Sequence, residues 1–261
     1  MSTHIPVVYA FARSGGTLVN RCLGSIPGNI ILSEVNPYRS VISVEKQARD
    51  WFSLISDVEC ELLLEQSYAH KVHYLTTAAE LSGKKLIIRD WVTVNFLDDV
   101  LGNKLLLASD LLEQELYLTH YGFTICPLVV SRHAADVYDS IIRTFRQFKA
   151  LSVKDFGIAY LKYAEAVSRH PIFHYEDICQ RPEFFIEKIC KVLDINYSSS
   201  FLQTFFDFTT CTGDTRLPHE SRGQKLKTIV PLSSNTDSEP YMAAVQDENC
   251  RKANELLGYV Y

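Results

Sequence analysis

The sequence predicts an α/β protein of three layers, α/β/α, with a central parallel sheet and a P-loop-like anion-binding loop. Short apolar runs alternate along the chain with stretches of helical spacing, as βαβ units require. The first run, Ile5-Pro6-Val7-Val8-Tyr9-Ala10-Phe11, reads as a buried strand and leads directly into a glycine turn, Ala12-Arg13-Ser14-Gly15-Gly16-Thr17. A helix follows, with Leu18, Val19, Cys22 and Leu23 spaced to pack back on the sheet.

The remaining elements follow in order. Strands are expected near 5–11, 29–33, 85–89, 123–131 and 171–175, where apolar runs such as Ile30-Ile31-Leu32 and Leu128-Val129-Val130 occur. Helices are expected at 16–25, 44–55, 58–80, 109–120, 134–146, 153–168, 182–194 and 198–206, with a last one near 241–257. Ala134, Val137, Tyr138, Ile141 and Ile142 carry the helical period after the fourth strand. Phe201, Phe205, Phe206 and Phe208 are spaced as a core-facing helix. Asp207 to Pro240 is polar, with prolines and a Ser-Ser-Asn-Thr-Asp-Ser run, which predicts a long loop or lid.

Composition bounds the possibilities. A chain of 261 residues with 47% hydrophobic residues can build one large core, so a single domain over 1–261 is expected. A net charge of −5 and a pI near 5.9 disfavour a general nucleic-acid or membrane-surface partner. No apolar run reaches the ~18 residues of a bilayer span, and no leader is visible, so a cytoplasmic location is expected. The seven cysteines lack metal-type pairing, and Cys22, Cys126 and Cys190 read as reduced core residues.

A strand, a glycine turn and a helix make an anion site. Glycines allow close backbone approach, free N–H groups point inward, and the helix N-terminus adds partial positive charge. Arg13, Ser14 and Thr17 add donors. The loop lacks the Lys-Ser/Thr end of a nucleotide-triphosphatase loop and is no G-x-G-x-x-G fingerprint. A turn that merely uses glycine fits the same residues. A second segment adds weight: a strand ending at Ser131, then Arg132, then a helix carrying Ser140, which together can clamp a second phosphate.

At these residues the chain resembles the sulfotransferases that use 3′-phosphoadenosine 5′-phosphosulfate (PAPS). Arg13-Ser14-Gly15-Gly16-Thr17-Leu18 is similar to their 5′-phosphosulfate loop. Arg132 through Ser140 is similar to their 3′-phosphate segment, R-x-P-x-D-x-x-x-S, with Arg132, Asp136 and Ser140 in register. His174-Tyr175-Glu176-Asp177-Ile178 resembles their Y-E-D-L strand end, and the following helix matches in character. Thr212-Gly213-Asp214 with Ser221-Arg222-Gly223 resembles the basic C-terminal loop that closes on the 3′-phosphate. There are departures. Gly16 replaces a usual hydroxyl residue, Ala134 a common Pro, and Ser221 one cation of the family's R-K-G.

The resemblance implies transfer of a sulfuryl group from PAPS to a hydroxyl or amine of a small-molecule, sugar or lipid acceptor, with no metal. Binding of the donor would fall to Arg13, Ser14, Gly15, Gly16, Thr17, Leu18, Arg132, Ser140, Tyr175, Arg222 and Gly223. A base must take the acceptor's proton. Glu34 ends the second strand, and its spacing from Arg13, with Pro27 in register, matches the catalytic Glu of tyrosylprotein sulfotransferases. Asp90 ends the third strand, where cytosolic sulfotransferases keep a His. Glu34 is the expected base, with Asp90 second or orienting the acceptor; each also fits a cap or surface ion pair.

Other residues stay open. Arg89 fits a ligand contact or a structural ion pair, and Tyr175 an adenine stack or the core. His70 and His73 share a helix face without a third metal ligand. His219 and Lys225 lie in the polar loop and are in reach of the 3′-phosphate; Lys225 and Lys227 equally fit solvated charges. A small-molecule kinase and a nucleotide-binding relic without catalysis are the alternatives.

Overall fold

The computed structural model describes residues 4–98, 107–213 and 227–259. Strands β1 (His4–Ala10), β2 (Asn29–Val35), β3 (Lys85–Asp90), β4 (Thr124–Ser131) and β5 (Ile172–His174) form one sheet. Its order is β2-β3-β1-β4-β5, and every pairing is parallel. Helix α1 (Gly16–Gly24) follows β1, and α2 (Val44–Asp50), α3 (Asp57–Leu64) and α4 (Tyr68–Leu81) connect β2 to β3. Helix α5 (Glu113–His120) precedes β4, and α6 (Ala134–Thr144) and α7 (Val153–Val167) lead to β5. Then come α8 (Tyr175–Gln180), α9 (Pro182–Leu193), α10 (Phe201–Thr204), α11 (Glu239–Gln246) and α12 (Glu248–Leu256).

The strands are apolar throughout because both faces are covered. Ile5, Val7 and Tyr9 of β1 face a core shared with α4, α6, α7 and α12. Val8 between them faces a second core with Val19 and Leu23 of α1 and Ile186 and Ile189 of α9. The same alternation recurs in Ile30, Ile31 and Leu32 of β2 and in Leu86, Ile87 and Ile88 of β3. Each fully buried side chain of this size contributes about 1.5–3 kcal/mol.

The structure corrects several expected boundaries. The single helix expected over 58–80 is two, because Ser67 accepts from the His70 N–H at 3.3 Å and starts α4 afresh. The helix expected over 44–55 ends at Asp50, since Ser53 turns left-handed at φ 47° and the Leu54 N–H returns to the Ala48 carbonyl. The last helix is broken at Asp247, which is extended and accepts from the Cys250 N–H at 2.9 Å to cap α12. The fifth strand stops at His174, so Tyr175 begins α8. Helices expected from 109 and 198 begin at Glu113 and Phe201.

All seven cysteines are free. Cys22 and Cys190 are core residues, but Cys126 is only half-buried, because the first half of β4 is less covered than its end. Among the described residues no helix is long and apolar enough to cross a membrane.

Candidate active site

In an open parallel sheet a crevice forms at the carboxyl ends of strands whose connections leave in opposite directions. Here β1 connects toward β2, and β4 toward β5 on the other edge. A pocket opens at that point, walled by Arg13, Gly15, Gly16, Thr17, Leu18, Glu34, Arg89, Asp90, Arg132 and Tyr175, among others.

The loop after β1 is built by two left-handed residues, Arg13 at φ 70° and Gly15 at φ 95°. The Gly15 carbonyl accepts from the Val19 N–H and opens α1. The first N–H groups of α1 have no partner inside the helix, and the residues that carry them line the pocket. Both glycines are required by space. A Cβ on Gly15 would stand 2.5 Å from the Tyr175 ring, and one on Gly16 would stand 2.7 Å from the Ala10 Cβ. The glycine at position 16 is therefore a packing necessity in this chain.

Three cations converge. Arg13 Nε donates to Ser140 Oγ at 2.9 Å across the β1–β4 crevice. Arg132 lies 4.8 Å over the Tyr175 ring and pairs with Asp136 at 3.2 Å and Glu176 at 3.9 Å. Arg89, buried at the end of β3, donates to Thr17 Oγ1, Ser33 Oγ and Thr212 Oγ1. It also pairs with Glu34 at 3.1 Å. Of the two readings open for Arg89, the structure shows the ion pair, and the side chain also stands on the pocket wall.

The two carboxylates differ. Glu34 is the extra residue of a β-bulge, since Ser33 pairs with Arg89 and Val35 with Asp90. The bulge holds Glu34 at φ 51° and turns its partly exposed side chain into the pocket. Asp90 is 1% exposed, and neither carboxylate oxygen has a hydrogen-bond partner. Burial, reinforced by Glu113, holds its carboxyl well above the usual range.

Not every expected residue reaches the wall. Ser14 is fully buried beneath the loop, and Ser140 faces Arg13 instead of the pocket. Tyr175 packs its ring against Gly15 and under Arg132, and its hydroxyl accepts from the Leu232 N–H at 3.1 Å. Thr212 belongs to the site through Arg89 and Ser33. Asp214, His219, Ser221, Arg222, Gly223 and Lys225 lie outside the described residues. His70 and His73 stand exposed on α4, and the Lys227 ammonium lies 5.6 Å over the Phe206 ring. Sequence reasoning missed Thr93, which accepts from the Ala12 N–H at 2.7 Å, and the wall formed by Arg21, Phe205, Thr228, Ile229, Val230 and Leu232. Nothing local marks those residues, because tertiary folding alone brings them to the loop.

The fold and this crevice define an α/β protein with a glycine loop at the switch point of its sheet. Its architecture recurs in solved structures. It aligns over 100% of this chain with 96% of the sulfotransferase domain of the Synechococcus PCC 7002 olefin synthase, at 15% identity and a TM-score of 0.63. It aligns over 100% with 99% of the sulfotransferase domain from the curacin biosynthetic pathway, at 12% identity and a TM-score of 0.57. No protein-family model matches the chain, and no curated protein matches it. The chain has the sulfotransferase fold.

Proposed function

We propose that this protein is a sulfotransferase that moves SO₃ from 3′-phosphoadenosine 5′-phosphosulfate to a hydroxyl or amine of a small-molecule acceptor. The observation that carries the reading is the loop Arg13–Leu18 at the N-terminus of α1, facing a carboxylate, Glu34, across a pocket that also holds Arg89 and Arg132. The shared fold adds to it.

Sulfuryl transfer asks the protein for positioning and charge stabilisation, as phosphoryl transfer does. The loop N–H groups, Arg13 and Arg89 are in place to stabilise the charge that develops on the leaving phosphate. Arg132 and Ser140 belong to the nucleotide side, Ser140 by fixing Arg13. Glu34 accepts the acceptor's proton at a carboxylate oxygen while the new bond to sulfur forms and the bond from sulfur to the phosphate oxygen breaks. Asp90, on the wall of the same pocket, orients the acceptor. Gly213 packs against Thr17, where a Cβ would collide with the Thr17 hydroxyl.

The test is calorimetric titration with 3′-phosphoadenosine 5′-phosphate, using ADP and ATP with and without magnesium as controls. Tight, magnesium-independent binding of the 3′-phosphorylated nucleotide, lost in Arg13→Ala, supports the reading. Preference for ATP with magnesium sinks it.

A further inference from the structure

A second cavity, of about 200 Å³, has no part in the transfer proposed above. Its walls include Tyr38 and Arg39 of the turn after β2, Ser43 and Glu45 at the start of α2, and Tyr68 and Lys71 of α4. It neighbours the first pocket. Asn36 on its wall is two residues, at most about 7 Å of chain, from Glu34 on the wall of the first. Asn36 Nδ2 donates to Asn95 Oδ1 at 3.0 Å, and Arg39 Nη1 to the Val94 carbonyl at 3.4 Å. The short 3₁₀ turn Val92–Asn95, which supplies Thr93 to the first pocket, thus braces the second.

Glu45 is 1% exposed. Its Oε1 accepts from Lys71 Nζ at 3.2 Å, but among the described residues its Oε2 has no hydrogen-bond partner. The buried Ser43 hydroxyl has none either. Leaving such atoms unmet is costly, and the cavity is roomier than a single water needs. Both atoms mark places where a ligand's donors belong.

Charge decides the class of ligand. Arg39 pairs with Glu113 at 3.7 Å and Lys71 with Glu45, so two cations and two carboxylates balance. An anion would meet Glu45, and a cation would meet Lys71 and Arg39. A neutral group rich in hydroxyls meets neither penalty. Its O–H groups donate to Glu45 and Ser43 and accept from Lys71 and Arg39. Tyr38, 66% exposed, and Tyr68 each stand edge-on to Tyr117 at 5.7 Å. Their rings give the cavity an apolar flank for C–H groups.

We propose that this second cavity binds a neutral polyhydroxylated ring, such as a sugar, carried by the acceptor. The assignment rests on the proposed transfer and narrows its acceptor to a hydroxyl-rich class. One hydroxyl reaches toward Glu34, and the others are held at Glu45 and Ser43.

The test measures binding of the neutral rings glucose, galactose, mannose and myo-inositol, and of the charged analogues glucosamine and glucuronate, by saturation-transfer NMR. The proteins are the wild type, Glu45→Gln and Tyr38→Ala, each also titrated with 3′-phosphoadenosine 5′-phosphate and melted. At least one neutral ring should bind, and more tightly than either charged analogue. Glu45→Gln should weaken it about 10- to 100-fold. Tyr38→Ala, at an exposed position, should weaken it about 2- to 10-fold with an unmoved thermal midpoint. The nucleotide should change by no more than about twofold in either variant. No neutral ring bound, tighter binding of a charged analogue, or affinity unmoved in both variants would overturn the proposal and leave a cavity that holds water only. A ring that binds beside the nucleotide yet gains no sulfate when PAPS is supplied overturns its assignment to the acceptor. A protein that binds the ring but not the nucleotide refutes the donor and leaves the sugar site standing.

Discussion

Glu34 shows how one residue's backbone decides its chemistry. In a regular strand it would alternate between two buried neighbours, Ser33 and Val35, and point into the opposite core. The bulge places it at φ 51°, beside Arg89 and facing the loop. Replacing Glu34 with Gln keeps the shape and removes the proposed base. Turnover is expected to fall about 10²- to 10⁴-fold, with donor affinity retained. Single-turnover rates and calorimetry on the same variant check both halves, and full activity would pass the role to Asp90. Asp90 predicts a pH effect of its own. In the unfolded chain its carboxyl titrates at the ordinary 3.8, while in the fold it keeps its proton to higher pH. Across that window the native state binds more protons than the unfolded state, so stability declines as pH rises. Asparagine mimics the protonated carboxyl and does not titrate. Asp90→Asn should match the wild type near pH 4 and exceed it in thermal midpoint at about pH 7, by a margin that widens with pH. A constant margin would contradict the assignment. Arg13, Glu34 and Asp90 were legible in the sequence because each directly follows or ends an apolar run. Arg21 was not, because its place on the pocket wall is a property of the folded molecule.

At the scale of elements, the loop between β1 and α1 is the part with least freedom. Gly15 is left-handed, and its missing side chain leaves room for the Tyr175 ring. Gly15→Ala brings an unfavourable φ and a collision together, about 2 kcal/mol or more of destabilisation. The thermal midpoint should drop roughly 4–8 °C, and donor affinity should fall with it. A variant with an unchanged midpoint would show that Tyr175 moves aside freely. The strands were readable because burial on both faces leaves unbroken apolar runs. Helix ends were less so. Ser67 and Asp247 each start a new helix by accepting a backbone N–H, and nothing in the apolar period distinguishes them from residues inside a helix.

At the scale of the whole molecule, six of the seven cysteines are buried and Cys126 alone is half-exposed. Burial pushes the thiols of Cys22, Cys190 and Cys250 up, which keeps them unreactive. Alkylation of the native protein followed by mass analysis should label Cys126 only, with all seven labelled after denaturation; rapid labelling of a second thiol would mean local opening of a core. The sheet order has a consequence for biosynthesis. β1 is the central strand, yet its partners are distant: Val7 pairs with Ile88, and His4 pairs with Thr124. On the ribosome, β1 and its glycine loop emerge long before either neighbour exists. Until β4 has been made, the central strand of the sheet has no complete binding surface, and chaperones have a segment to hold. The wall supplied by Thr228 to Leu232 arrives later still. The nascent chain thus carries its glycine loop for most of translation without the pocket that the loop lines in the finished fold.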